Sequence, residues 1–132
     1  MEKGFTEKII PILQPYKVLV YDKTYHYYAR VASKDLLKIV PLLPKENLKI
    51  RQNKSPRVQD FIEVAKMEPR ALFSLYIISQ EREDERVTIE AVSFPVERED
   101  VAKFLLKKAL HKPDDDYVFP FPEGKYRFMW WD

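Results

Sequence analysis

The region from residue 71 to residue 94 constrains the fold of this chain more than any other, because it holds two apolar segments joined by a short charged loop. The first segment, Ala71 to Gln80, carries apolar side chains at both odd and even positions. A strand with two apolar faces is typical of the centre of a sheet. The second segment, Arg86 to Phe94, follows the acidic loop 81–85 closely enough to pair with the first as a hairpin. This pattern predicts an antiparallel sheet in which the first of these two strands is central.

Helical and strand patterns flank this hairpin on both sides. Apolar residues recur at helical spacing over residues 5–14, 34–43 after Ser33, 56–68 after Ser55, and about 97–111. Further strands are predicted at 17–21, 25–32, 48–51 and 125–131. The run 114–116 is expected to be a polar break, and the proline-rich segment 119–122 an irregular connection. The predicted fold class is therefore α+β, a single domain over residues 1–132 with an antiparallel sheet covered by about four helices.

The composition excludes several kinds of chemical site. The chain has no Cys, which excludes disulfides and Cys-zinc sites, and only two Gly, Gly4 and Gly124, which excludes a Gly-rich phosphate loop. His26 and His111 lie in different predicted elements, and the consecutive residues 114–116 do not converge on one point in regular structure. We therefore expect a non-enzymatic protein with no cofactor, no metal ion and no catalytic residue.

Charge and hydropathy indicate the cellular location of the protein and the class of its binding partner. No apolar run approaches the roughly 20 residues of a membrane span, and residues 1–5 lack the apolar core of a signal peptide, so we expect a cytoplasmic protein with no membrane partner. The net charge of +2 divides into +6 for residues 1–66 and −4 for residues 67–132. Such asymmetry is typical of a nucleic-acid-binding face on a soluble body. A charged fraction of 33% with only two Asn is also the pattern of hyperthermophile proteins.

Two stretches, residues 21–30 and 125–131, interleave aromatic rings with basic side chains. Rings that stack on bases, beside cations that contact phosphates, are the components of a surface for single-stranded nucleic acid. Strand alternation separates each stretch into two sets. We expect the more apolar sets to face the core: Tyr25, Tyr27, Ala29 and Val31 in one strand, and Tyr126, Phe128 and Trp130 in the other. The opposite sets, which include Tyr28, Arg30, Arg127 and Trp131, are expected to face outward.

These faces predict a binding surface for single-stranded nucleic acid. The residues expected to neutralise phosphates are Arg30, Lys49, Arg51, Lys54, Arg57 and Arg127, and those expected to stack on bases are Tyr28 and Trp131. Packing in the core is the alternative role for the same two rings, since aromatic residues are enriched in strands for packing reasons alone. DNA and RNA are not distinguished by these residues.

A protein–protein interaction module is the alternative function. The segment Phe119-Pro120-Phe121-Pro122 and the Trp130–Trp131 pair would then anchor a homodimer or another protein partner, because aromatic residues dominate such interfaces.

The combination of Tyr25-His26-Tyr27-Tyr28-Ala29-Arg30, the basic Lys49-Ile50-Arg51 and the apolar Ala71 to Gln80 resembles the ThermoDBP group of archaeal single-stranded DNA-binding proteins. The resemblance covers about half of the chain. It implies a protein that holds single-stranded DNA in an apolar cleft flanked by basic side chains. The chain differs from that group after residue 125, where it has a predicted strand instead of a long leucine-repeat helix.

Overall fold

The computed structural model describes the backbone of residues 1–132 and the side chains of all residues except 19–21, which include Tyr21 of the first aromatic–basic stretch. The helices are α1 (Thr6–Leu13), α2 (Ser33–Ile39), α3 (Val58–Met67) and α4 (Glu99–Lys108). The strands are β1 (Lys17–Asp22), β2 (Tyr25–Ala32), β3 (Leu72–Ile78), β4 (Arg86–Pro95), β5 (Asp115–Phe121) and β6 (Gly124–Trp130). Short 3₁₀ turns occupy Gln14–Tyr16, Val40–Leu42 and Lys45–Lys49.

The six strands form one antiparallel sheet in the order β1-β2-β3-β4-β6-β5. β3 and β4 occupy the two central positions of the sheet, and the central position of β3 is the one that its two-sided apolar pattern predicts. The α+β fold class, with an antiparallel sheet and four helices in one compact domain, is confirmed. The longest helices have ten residues each, and no helix in the described chain is long and apolar enough to cross a membrane.

All four helices pack on one face of the sheet, which we call the helix-covered face. Val31, Phe73, Val92 and Met129 lie opposite one another in four neighbouring strands, so their side chains share a face. They are fully or almost fully buried in one apolar cluster with residues of every helix, among them Ile9, Leu36, Phe61 and Leu105. Burial of apolar side chains in such a cluster is the main stabilising contribution to a domain of this length.

Two side chains fix the central hairpin to its surroundings. Asn47 pairs with both backbone groups of Val87, donating to its carbonyl at 3.1 Å and accepting from its N–H at 2.9 Å. This contact covers the part of the β4 edge that β6 does not reach. Glu85 accepts hydrogen bonds from the backbone of Gly4 at 2.8 Å and from the hydroxyl of Thr6 at 2.6 Å. A carboxylate at this position satisfies free N–H groups at the start of α1.

The prediction of a basic strand at 48–51 is wrong. Lys45–Lys49 is a 3₁₀ helix, and Arg51 makes only an isolated bridge with Arg57. The free edge of β4 beside this segment is occupied by the side chain of Asn47. Four alternating residues fit a short helical turn as well as a strand, so the pattern did not distinguish the two.

The expectation of an irregular segment before β6 is also wrong, because Asp115–Phe121 is a strand that pairs with β6 along its whole length. Pro120 lies within this strand, opposite Lys125. Proline is accepted there because β5 is an edge strand, where a residue without an N–H leaves no neighbouring strand unpaired.

Candidate functional site

The face of the sheet opposite the helices forms a groove. The guanidinium carbon of Arg30 on β2 lies 5.3 Å from the ring centre of Phe121 on β5, although three strands separate these two in the sheet. In a flat sheet the two strands would be about 19 Å apart, at four strand spacings. The sheet is therefore curled, with β1 and β2 forming one wall of the groove and β5 the other.

Aromatic side chains line this hollow. We call it the aromatic groove; it has a volume of about 500 Å³ and is formed by Val18, Tyr25, Tyr27, Glu90, Asp115, Phe128 and Trp130. A second hollow of about 260 Å³ shares Phe128 and includes Arg30, Tyr117 and Phe119. The two hollows adjoin along the same face, because Phe128 contributes to both.

Contacts among the rings hold most of them in fixed orientations. Tyr25 stacks on Tyr76 with ring centres 5.1 Å apart and planes at 18°. The Tyr76 hydroxyl donates to Gln52 at 2.6 Å. At the other end of the face, Tyr117 meets Phe128 edge to face at 5.2 Å. These contacts preorganise the walls of the groove before any ligand binds.

The Trp130 ring is held in one orientation by a hydrogen bond, while part of its surface stays open to the groove. Its indole N–H donates to the Glu90 carboxylate at 3.3 Å, which fixes the plane of the ring. Among the residues whose side chains are described, no aromatic ring stacks on it, and the side chain is half-buried. An indole face held in this way is available to a planar ligand.

Glu90 reaches the groove because of a β-bulge. Ser74 pairs with Ala91 and the next residue, Leu75, pairs with Ile89, so Glu90 is an extra residue in β4. Bulges of this kind redirect side chains. The carboxyl is buried, and burial raises its pKa above the ordinary value. The hydrogen bonds from Trp130 and Tyr27 act to lower this pKa, and the nearby charge of Asp132 acts to raise it.

Arg30 also lies at a bulge, in β2. Its φ of 55° is in the left-handed region, and the pairing of β2 with β3 shifts between Tyr28 and Val31. The side chain is exposed at the end of the groove, over Phe121. Within the described part of the chain, no carboxylate pairs with Arg30. Its cation is therefore available to an anionic ligand at the rim.

The prediction that Tyr28 and Trp131 face outward is wrong, whereas Arg30 of the same set is exposed as expected. Tyr28 is fully buried on the helix-covered face, opposite Leu75, and Trp131 is 1% exposed. Trp131 packs edge to face against Phe61 at 6.1 Å and donates its indole N–H to the His111 carbonyl at 2.9 Å. Tyr25, Tyr27, Phe128 and Trp130, which were expected in the core, line the groove instead, whereas Val31 and Tyr126 of the same two sets are buried. The more apolar sets were assigned to the core, but these four rings lie half-buried in the groove on the opposite face.

The predicted basic residues do not come together. Arg51 donates to the Ser55 carbonyl at 2.8 Å and to the Lys108 carbonyl at 3.2 Å, and so joins two segments of backbone. Two others are in ion pairs, Arg57 with Asp60 and Arg127 with Asp116. Lys49 and Lys54 are exposed but lie outside the sheet. Arg30 is the one member of the predicted set that borders the groove.

Tyr28 carries a buried hydroxyl that has no hydrogen-bond partner among the described residues, and burial raises the pKa of Tyr28 to about 12. An unsatisfied buried hydroxyl is destabilising. We expect Tyr28→Phe to raise the free energy of unfolding by about 1 kcal/mol in urea titrations at pH 7. Tyr126→Phe is the control, since it removes a hydroxyl that donates to the Arg70 carbonyl at 3.4 Å and should lower stability slightly. A clear loss of stability in Tyr28→Phe would contradict the assignment.

No group of three or more His, Asp or Glu side chains in the described chain is arranged to hold a metal ion. The chemistry that the groove offers is therefore ring stacking, one buried carboxyl acceptor and one cation at the rim. No protein-family model, curated protein or solved structure matches the chain.

Proposed function

We propose that the protein is a non-enzymatic, sequence-tolerant binder of single-stranded nucleic acid, with single-stranded DNA as the leading candidate. The strand would lie along the aromatic groove. The observation that carries this proposal is the row of rings on the sheet face opposite the helices, where the Trp130 ring is held in place and has no ring stacked on it among the described side chains. Base stacking on such rings is tolerant of sequence because every base has a π face.

The charges of the groove support one orientation of the strand. Glu90 and Asp115 lie within the groove, while the unpaired cation of Arg30 lies at its end. Phosphates are repelled by the two carboxyl groups and attracted by Arg30. The bases would therefore point into the groove, and the backbone would run along its rim. The cleft implied by the resemblance to the ThermoDBP group would correspond to the aromatic groove, and the protein would act in the cytoplasm.

Binding of a labelled oligo-dT, followed by fluorescence anisotropy at low and moderate salt, tests the proposal. We expect Arg30→Asn to weaken binding and to reduce the slope of log K against log salt by about 0.7, the value for one phosphate contact on a single strand. Asn is chosen because it tolerates the left-handed backbone at this position. The matched control is Lys49→Ala, which removes an exposed cation outside the sheet and should change neither quantity.

Two results would contradict this proposal. The absence of oligo-dT binding at low salt would refute the function as a whole. Equal effects of Arg30→Asn and Lys49→Ala would place the strand somewhere other than the aromatic groove.

Self-association or binding of a protein partner is the second candidate function, and β5 is the observation that favours it. This edge strand exposes Tyr117 and Val118, each about half accessible to solvent. Exposed apolar residues on an unpaired edge are typical of strand-to-strand docking between chains. Sedimentation that shows a dimer stable in high salt, together with no oligonucleotide binding, would favour this function.

A further inference from the structure

We propose that the aromatic groove selects guanine, with Glu90 accepting hydrogen bonds from the Watson–Crick edge of that base. This inference rests on the proposed function, because the guanine is taken to be part of a single strand. The preference applies to the one base that faces Glu90, while bases stacked elsewhere along the groove are bound regardless of sequence.

The position of Glu90 is suited to reading a base. Its carboxyl lies among Tyr25, Tyr27, Phe128 and Trp130, so a base stacked against these rings would turn an edge toward it. The bulge in β4 brings this carboxyl to the groove side of the sheet. The volume of about 500 Å³ is within the range of ordinary small-ligand pockets.

The hydrogen-bonding capacity of Glu90 is only partly used. A carboxylate has two oxygens and about four acceptor sites. Among the described residues, Trp130 donates to one oxygen at 3.3 Å, and Tyr27 is a second hydrogen-bonding partner. Acceptor sites therefore remain for a ligand, and the two existing bonds hold the carboxyl in one orientation.

Guanine is the base that complements such an acceptor. Its Watson–Crick edge presents two adjacent donors, N1–H and the N2 amino group, which match the two oxygens of a carboxylate. Thymine and uracil present one N–H between two carbonyl oxygens, and those oxygens would be repelled by a carboxylate. Adenine and cytosine each present one amino donor beside a ring-nitrogen acceptor. Only guanine can make a two-point contact without an opposing acceptor.

The second carboxyl group of the groove strengthens this selection. Asp115 lies on the opposite wall, so the groove contains two acidic groups and no basic side chain among its described lining residues. Such a field disfavours phosphate and favours the donor-rich edge of a base.

Competition between oligonucleotides tests the inference. The probes are oligo-dT and the same length of oligo-dT with one central deoxyguanosine, deoxyinosine or 7-deazadeoxyguanosine. We expect the wild-type protein to bind the guanine probe about tenfold more tightly than oligo-dT, which is the scale of a bidentate base contact. Inosine lacks the N2 amino group and should lose much of this gain, whereas 7-deazaguanine changes only the opposite edge and should keep it.

The Glu90→Gln variant tests whether Glu90 is the residue that contacts guanine. The amide keeps the shape of the side chain but offers one acceptor oxygen in place of two. We expect the ratio of guanine-probe affinity to oligo-dT affinity to fall toward one in this variant and to be unchanged in the control Lys103→Ala, which removes an exposed cation from α4.

The possible outcomes distinguish the guanine preference, the role of Glu90 and the proposed function from one another. Equal binding of the guanine probe and oligo-dT by the wild-type protein would refute the inference and leave the proposed function intact. No binding of any probe would refute the proposed function. Selection that persists in Glu90→Gln, or that is equally strong for inosine, would overturn the role of Glu90. The modified bases are tested on the wild-type protein, so the result does not depend on how well the variant folds.

Discussion

Replacing Trp131 with alanine is expected to lower the free energy of unfolding by about 3–5 kcal/mol, the usual cost of removing a large buried aromatic side chain. Trp131 is 1% exposed, packs against Phe61, and donates its indole N–H to the His111 carbonyl. Alanine would leave a cavity and an unpaired carbonyl in the same place. Because small domains are stable by about 5–15 kcal/mol, this loss would be a large part of the total.

Guanidinium chloride unfolding at neutral pH measures this effect. Trp131→Phe retains a ring beside Phe61 and should lose much less stability than Trp131→Ala. Trp130→Ala is the neighbouring control, since the Trp130 side chain is half-buried in the groove and not in the helix-covered core. A Trp131→Ala variant that unfolds within 1 kcal/mol of the wild type would show that this ring is not a core residue.

Replacing Trp130 with alanine is expected to weaken binding of oligo-dT by about 1–3 kcal/mol, or roughly 5- to 150-fold, which is the effect of removing one stacking ring. The two tryptophans are adjacent in sequence but lie on opposite faces of the sheet, one in the groove and one in the core. Only Trp130 can touch a ligand in the groove. Anisotropy titrations of both variants at one salt concentration give the affinities.

Tryptophan emission provides a second measurement of the same prediction. Oligo-dT should quench the emission of the wild-type protein and of Trp131→Phe, in which Trp130 is the remaining indole. In Trp130→Ala the remaining emission comes from the buried Trp131 and should not respond to oligo-dT. Persistent quenching in Trp130→Ala, or unchanged affinity, would contradict the stacking role of Trp130.

The elements of the fold could be predicted where the apolar pattern was long. The central hairpin, the four helices and strand β2 follow from such patterns and are confirmed. Strand β5 was missed because Pro120 and the run of Asp residues are typical of loops, and their acceptance depends on β5 being at the edge of the sheet. The edge position is a property of the assembled sheet and cannot be obtained from local sequence.

The composition of the candidate site could be predicted, but its geometry could not. The aromatic–basic stretches do supply the groove, through Tyr25, Tyr27, Phe128 and Trp130. Their direction was inverted because strand alternation identifies two sets of side chains and does not say which set the helices cover. The bulges at Arg30 and Glu90 then break the alternation within single strands. Glu90 itself showed no signal in the sequence, since an isolated Glu in a strand is indistinguishable from a surface residue.

The two walls of the aromatic groove come from segments far apart in the chain, Lys17–Asp22 and Asp115–Phe121. Closing so long a loop costs entropy before the contacts compensate for it, and contacts of long sequence separation slow folding. The β5–β6 hairpin also joins the sheet only through its pairing with β4. A partly folded chain that contains the β3–β4 hairpin and its helices therefore lacks the groove. Binding competence would therefore require the β5–β6 hairpin to be paired with β4, because β5 supplies one wall of the groove.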